Sequence, residues 1–489
     1  MDYMHLTKLI KKSISSGFRS IAEPISYSPL PDRIVEEYNL TRLQENIGLL
    51  CNAPSRSLRF TYDGRAIVCC QNHSHTLGNY PDQTLKELWF GPKAEQLREL
   101  IRKNDLSSGC NSTGCESCAK MLTSSRYYHA LARDFDYLPE NSDGYPSLME
   151  FELDTTCNLA CIMCSPTFSS SIRKLQNITS NPPMRYDETF VTQLEEFIPY
   201  LHETRFYGGE PFVIPLHFYL WEKIIQIHPE TLIFVQSNGT ILTDRVKAII
   251  ERGRFLISLS IDSFVEETYN KIRVNSDFKT VRRNFSYFLD YSRRKDLQMT
   301  VVICPMRQNW REIPDIVKYL NDENIKLSFT TVLRPPECAL WNLKSDELKE
   351  IDRHFKRLHY KPKNAQHKEN LHYFDLLKEE VAIWTRDAQK RDKLLKKNSN
   401  PKLAAQLKKQ FIDRICFQID QQNHSQGNRS ELLRSKLDEV FSHVDNEFTL
   451  ISFLKKAQNY PVDEIIAAIE SRRVEELVDH VSHKSRDDF

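Results

Sequence analysis

No stretch of the 489-residue sequence approaches the ~18 consecutive apolar residues that a membrane-crossing helix needs, so no membrane span is expected. An apolar signal-peptide core with a small-residue cleavage site is missing as well, and a reducing, cytoplasmic setting is therefore expected. The chain also lacks an excess of either charge: 67 Lys and Arg stand against 66 Asp and Glu, a formal net charge of +1. With no basic surplus to neutralise phosphates, it is not read as a nucleic-acid binder. The basic runs Lys390–Lys397 and Lys408–Lys409 read as solvated helix faces, because acidic residues interleave with them and aromatics are sparse. What remains, 40% hydrophobic and 27% charged residues, is ordinary for a water-exposed globular chain. The length implies two or three units.

Cysteine is plentiful. Nine of the twelve cysteines fall between Cys51 and Cys164. Such clustering in a long chain favours metal ligation over disulfides, and ligation requires thiolates kept from oxidation. Cys304, Cys338 and Cys416 stand alone; Cys304, in an apolar strand, reads as a small core residue.

Residues 1–45 read as a helix and a connector containing Pro24, Pro29 and Pro31. The helix, Leu6–Ile21, is basic and amphipathic; it is read as docked on the protein's own body, with a membrane surface or a partner as the alternative. Residues 46–120 hold six cysteines and read as a metal-stapled unit, and 121–147 as a link. From residue 148 strands and helices alternate. The strands are Met149–Asp154, Glu203–Tyr207, Leu232–Gln236, Phe255–Ile261, Met299–Cys304 and Leu327–Leu333, apolar enough to be buried on both faces. The helices are Glu188–Leu201, Leu216–Ile227, Asp244–Glu251, Phe278–Leu289 and Trp310–Leu320. Six strand–helix repeats imply an α/β fold with a parallel sheet, open or curled into a partial barrel. Residues 346–489 are charged and read as a mainly helical region.

The first of these strands runs into Cys157-Asn158-Leu159-Ala160-Cys161-Ile162-Met163-Cys164. Loops at the carboxyl ends of parallel strands form the active face. Three thiolates at i, i+4 and i+7 can converge on one centre, whereas a structural zinc or an ordinary cubane takes four protein ligands. The shortfall leaves one metal position open, as a catalytic cluster needs. The alternatives are three cysteines without a role, or a zinc site completed by a distant histidine. Glu152 and Asp154 lie beside this loop and equally well satisfy local hydrogen bonds; neither is read as catalytic.

In that sequence and order the residues resemble the radical S-adenosylmethionine (SAM) superfamily, over roughly residues 148–335. Gly208-Gly209-Glu210-Pro211 after the second strand is similar to its GGEP element. Ser237-Asn238-Gly239 is similar to its TNG turn and Ser260-Ile261-Asp262 to its S-x-D element, and Arg273 follows. The resemblance implies a partial (β/α)6 barrel. Cys157, Cys161 and Cys164 would hold three irons of a [4Fe–4S] cluster, with SAM on the fourth. Met163, Gly208, Gly209, Glu210, Pro211, Asn238, Ser260, Asp262 and Arg273 would form the SAM pocket. Glu210 and backbone carbonyls would accept from the SAM amine, glycines would let backbone approach the ligand, and Arg273 would lie near its carboxylate or ribose. Reductive cleavage of SAM would give a 5′-deoxyadenosyl radical that removes a substrate hydrogen. Met163 departs from the pattern, since relatives often carry an aromatic there; methionine can still pack against a ring.

Cys51, Gly64 and Cys69, then Leu77-Gly78-Asn79-Tyr80 and Leu85–Trp89, resemble the opening of SPASM domains, which carry auxiliary iron–sulfur clusters. Here the module precedes the barrel instead of following it, and its second group, Cys110, Cys115 and Cys118, is short. Six thiolates cannot complete two four-cysteine clusters. One auxiliary [4Fe–4S] cluster on Cys51, Cys69, Cys115 and Cys118 is expected, with Cys70 and Cys110 as substitutes. His73 and His75 leave zinc as the alternative. The resemblance implies a radical SAM oxidoreductase acting on a peptide or protein, fed by a flavodoxin- or ferredoxin-like electron donor. A small-molecule substrate is one alternative, and a non-catalytic, zinc-stapled binding protein is another.

Overall fold

A computed structural model describes residues 29–42, 49–72, 75–107, 110, 118–179, 182–333, 335–398, 401–422, 429–444, 447–458 and 460–471, with 474, 477, 478 and 481. The Leu6–Ile21 helix reading, His73 and Cys115 lie outside them. The chain divides into two compact units. One spans Ile25–Arg386; the described residues from Asp387 onward form the other.

The first unit is built on one nine-stranded sheet: β1 (Ser57–Phe60), β2 (Arg65–Ile67), β3 (Gly78–Asn79), β4 (Leu148–Phe151), β5 (Glu203–Phe206), β6 (Leu232–Ser237), β7 (Arg254–Ser260), β8 (Thr300–Ile303) and β9 (Lys326–Phe329). The order is β3-β2-β1-β4-β5-β6-β7-β8-β9, and the described residues show no pairing that closes β9 on β3. From β4 to β9 every neighbour is parallel. The crossovers carry helices Glu188–Leu194, Pro215–Ile227, Asp244–Arg252, Phe278–Arg294 and Ile313–Asp322. Their starts are written locally. Asp187, Thr243 and Asp277 accept backbone N–H bonds from the first turn, and Pro215 opens its helix where no N–H is needed.

The helices cover one face of the sheet. Phe151 packs on Phe190 (ring centroids 6.3 Å apart), and Phe206 and Phe255 both pack on Trp221 (5.4 Å each). The other face differs from the expectation of strands apolar on both sides. It carries Arg59, Glu150, Glu152, Arg205 and Tyr207, because alternate residues of each strand point away from the helices. These charges are held by one another, as described below.

Other boundaries shift for local reasons. The run Glu188–Leu201 breaks at Leu194 into a short 3₁₀ turn, Ile198–Tyr200, around Pro199. The last strand ends at Phe329 rather than Leu333. In the presumed connector, Asp32–Asn39 is a helix entered through Pro31. The cysteine-rich unit shares the main sheet: β1 pairs parallel with β4, Arg59 opposite Glu150. Residues 121–147, read as a link, bring 3₁₀ turns and Tyr137, whose hydroxyl bonds Glu203 (2.7 Å), against the polar face.

Helices Ser345–Phe355 and Ala365–Asn398 follow the sheet. The second unit packs Pro401–Gln422, Arg429–Ser442, Glu447–Ala457 and Val462–Ser471 around Phe411, Ile415, Leu437, Val440 and Leu454. Lys408 lies on a solvated face, paired with Asp438 at 3.0 Å. No helix among the described residues is long and apolar enough to cross a membrane.

Candidate active site and cysteine centres

The loop after β4 is pinned on two sides. Cys157 N–H donates to Ser170 Oγ (3.0 Å), and the Ser170 and Ser171 hydroxyls donate to the Cys157 carbonyl (3.0 and 2.8 Å). Ser169 caps the helix Ser170–Leu175 and bonds the Leu159 carbonyl (2.7 Å). This serine run is a functional feature that the sequence reading missed, although three consecutive serines before a helical stretch are a capping signal. On the other side Ala160 N–H donates to the Val274 carbonyl and Ile162 N–H to the Ile272 carbonyl, both at 3.0 Å.

Cys161 is buried, and Cys157 and Cys164 are half-buried. Burial pushes the Cys157 thiol up to about 11 and raises Cys161 and Cys164 too, while the Arg273 charge pulls both of the latter back. Thiols so raised ionise only against positive charge and N–H donors. The loop supplies such donors: Leu159 N–H lies 3.5 Å from Cys157 Sγ, Asn238 Nδ2 4.0 Å from it, and Arg273 Nη1 3.7 Å from Cys161 Sγ. Among the described residues no three His, Cys, Asp or Glu side chains gather round a single metal-ion position. Three soft thiols in one donor-lined loop suit an iron–sulfur cluster, whose four irons spread their ligands wider than one ion does.

The other predicted residues converge on this loop, and several make bonds that were not expected. Gly208 and Gly209 have φ of +78° and +49°; a Cβ on Gly209 would stand 2.1 Å from the Thr156 carbonyl oxygen. Their freedom therefore serves first a close approach to the chain's own cysteine loop, and Glu210 N–H seals it by donating to Thr156 O (2.8 Å). The Glu210 side chain is fully buried. It accepts from Asn238 N–H (2.7 Å), Ser237 Oγ (2.8 Å) and Phe212 N–H (3.1 Å), so it ties the β5 turn to the β6 turn. Burial raises its carboxyl to about 6 against those stabilising bonds. Pro211 opens the short turn Pro211–Val213 that follows. Asn238 Nδ2 also donates to Asn158 Oδ1 (2.9 Å) inside the cysteine loop.

Asp262, at φ +60°, receives Arg273 Nε (2.7 Å) and Nη2 (2.6 Å) and Cys304 N–H (2.7 Å). Arg273 is thus committed to Asp262 and Cys161. Ser260 closes β7 and is nearly buried. Met163 packs with Ile162, Cys304 and Trp341 against Met306, Val332 and Cys338. Cys304 lies just past β8 and is half-buried in this group, not within the strand. Asp154 accepts from Thr156 N–H (2.8 Å), a local turn.

Beneath the loop one polar row crosses six strands. Gln236 pairs with Ser258, Ser258 with Thr300 and Thr300 with Lys326; Glu152 and Tyr207 continue the row one step past Phe151 and Phe206. Ser258 is fully buried and its hydroxyl has no partner among the described residues. Below the row, Arg59 from β1 binds Glu150 (2.8 Å) of β4 and Glu152 (2.6 Å) just past its end, and stacks on Tyr207, 5.1 Å from its ring centroid. Because β2 runs antiparallel to β1, Cys69 and Cys70 lie towards the opposite end of β4 from the Cys157 loop.

There, Cys51, Cys69, Cys110 and Cys118 line one small cavity with Leu50 and Phe135. Cys110, one of the two expected substitutes, thus stands with Cys51, Cys69 and Cys118, while Cys115 lies outside the described residues. Cys70 is not among the residues lining this cavity. Burial raises all four lining thiols, Cys118 to about 11 and Cys69 to about 12. Ala53 N–H points at Cys51 Sγ (3.4 Å) and Asn72 Nδ2 at Cys110 Sγ (3.9 Å). Four thiols in an apolar pocket are a donor set fit for an iron–sulfur cluster. His75 turns its ring towards the Lys93 carbonyl (3.1 Å) and does not line the cavity.

Comparison with known proteins agrees with this geometry. The family model of the radical SAM superfamily matches residues 152–320, and that of the SPASM iron–sulfur cluster-binding domain matches residues 51–119. Among curated relatives, a GTP 3′,8-cyclase of Clostridium botulinum (strain Hall) is 27% identical over 134 residues, 27% of this chain and 40% of that protein. A cysteine-type anaerobic sulfatase-maturating enzyme of Clostridium perfringens is 24% identical over 204 residues, 39% of this chain and 52% of that one. The chain thus spans about half or less of these relatives' lengths. Among solved structures, native anSMEcpe with bound AdoMet is 19% identical with a TM-score of 0.33, covering 43% of this chain and 59% of that one. Streptococcus suis SuiB bound to S-adenosylmethionine is 12% identical, also at 0.33, covering 55% and 58%. At such TM-scores neither structural likeness carries an argument of its own.

Proposed function

Since the chain belongs to the radical SAM superfamily and carries a SPASM iron–sulfur cluster-binding domain ahead of its radical SAM domain, we propose that it is an oxidoreductase that removes a hydrogen atom from a peptide or protein. Cys157, Cys161 and Cys164 hold the catalytic [4Fe–4S] cluster and leave one iron for SAM. When bound there and reduced by one electron, the cluster and SAM would supply radical hydrogen-abstraction chemistry. Cys51, Cys69, Cys110 and Cys118 hold the auxiliary cluster. An electron donor of the flavodoxin or ferredoxin class serves the first centre.

The chain's own residues position and shield. Glu210 locks the two turns above the loop, Asn238 and Leu159 direct N–H groups at Cys157, and the Ser169–Ser171 run fixes the loop's entry. The observation that supports the choice of substrate is the polar row beneath the loop, which runs from Glu152 to Lys326 through Ser258, whose hydroxyl has no partner among the described residues. A polar floor suits the amide groups of a peptide, since a polar group buried without a partner costs about 1–3 kcal/mol. A relative named a sulfatase-maturating enzyme acts, by that name, on a protein. The GTP 3′,8-cyclase relatives favour a second reading, a small-molecule substrate.

The test uses anaerobically reconstituted protein with SAM and dithionite, and either a deuterated tryptic peptide pool or a deuterated small-molecule extract. Deuterium in 5′-deoxyadenosine from the peptide pool is expected. Deuterium from the small-molecule extract alone would overturn the peptide reading, and a colourless, zinc-only protein would overturn the enzyme.

A further inference from the structure

We infer that Arg273 raises the reduction potential of the cluster carried by the Cys157 loop, as a fixed cation and N–H donor on the Cys161 sulfur, with Asp262 as its anchor. The inference rests on the reading of that loop as a cluster site.

The register is set by backbone. Ala160 and Ile162, on either side of Cys161, donate to the carbonyls of Val274 and Ile272, on either side of Arg273. Cys161 and Arg273 are therefore held opposite each other by two 3.0 Å bonds. The Arg273 backbone is fixed in turn at the end of helix Glu266–Ile272, its N–H donating to the Tyr269 carbonyl (2.7 Å).

The side chain has no freedom left. Nε and Nη2 form a fork on Asp262 Oδ2 at 2.7 and 2.6 Å, and both partners are at most 9% exposed. Asp262 is itself held by Cys304 N–H at 2.7 Å, and its carbonyl by Asn309 Nδ2 at 2.9 Å. Nη1 remains and points at Cys161 Sγ from 3.7 Å, a normal length for a bond to sulfur. A guanidinium so engaged is poorly placed to follow a ligand carboxylate.

Adding an electron to a cluster makes it more negative. A buried cation beside one of its sulfurs stabilises that reduced form, and hydrogen bonds to sulfur are among the levers that set such potentials. Asp262 acts in the opposite sense through its own charge. Lysine would keep a point charge but lose the fork. Arg273 and Asp262 are thus positioning residues whose removal must shift the potential in opposite directions, which mere support of the fold would not do.

The experiment uses the full chain, reconstituted anaerobically with iron and sulfide, without SAM, titrated by potential under EPR. The relevant signal is the one absent from the Cys157/Cys161/Cys164→Ala variant. The expected result is a midpoint lower than wild type for Arg273→Gln, lowered less for Arg273→Lys, and higher for Asp262→Asn, at equal iron content. If Arg273→Gln fails to hold the cluster, the other two variants decide by the same opposite shifts. Midpoints that stay at the wild-type value, or move the same way in the Arg273 and Asp262 variants, overturn the inference. A wild type lacking that signal would instead sink the reading of the loop.

Discussion

Glu210 is a fully buried carboxylate held by two N–H groups and a hydroxyl from its own chain. Burial lifts its carboxyl from 4.5 to about 6. With the folded value above the unfolded one, the contribution to stability is fullest below about pH 4.5 and is lost as pH rises through about 6. The shift corresponds to about 2 kcal/mol. Thermal melts of the iron-free chain between pH 4.5 and 7 should show this loss, and Glu210→Gln should flatten it; an unchanged slope in the variant would contradict the assignment. The GGEP and S-x-D elements were legible in the sequence as residues near the cysteine loop. Their partners were not, because the bonds from Glu210 to Asn238 and from Arg273 to Cys161 span 28 and 112 positions of sequence.

At the scale of elements, six parallel strands and their crossover helices could be read from apolar runs and the segments between them. The polar face could not. Glu150, Glu152 and Arg205 interrupt apolar runs without disclosing which side they point to, and Arg59, the counter-charge of the two glutamates, comes from a strand far back in the chain. The short run Ser57–Phe60 gives no sign by itself that it extends the main sheet, since its pairing with β4 is non-local. That pairing places a buried cation between two buried carboxylates. Arg59→Met should therefore cost about 3–5 kcal/mol in urea unfolding, by leaving both carboxylates uncompensated, and adding Glu150→Gln and Glu152→Gln should recover most of the loss. Equal stability of the single and triple variants would exclude the triad as the tie between β1 and β4.

At the scale of the molecule there are two compact units, and the cysteine centres all lie in the first. The helical unit has its own core, in which Leu454 is fully buried. Leu454→Ala should destabilise that unit by about 2–5 kcal/mol while leaving the iron-dependent absorbance of the protein intact; loss of that absorbance would show that the units do not stand independently. The account as a whole depends on two separate thiolate centres in the first unit, one with three protein ligands and one with four. Iron counted in the anaerobically reconstituted wild type and in the Cys157/Cys161/Cys164→Ala variant tests this most directly. The account predicts that the variant loses about four irons and keeps about four. A variant that retained all of its iron, or that lost every atom of it, would contradict it.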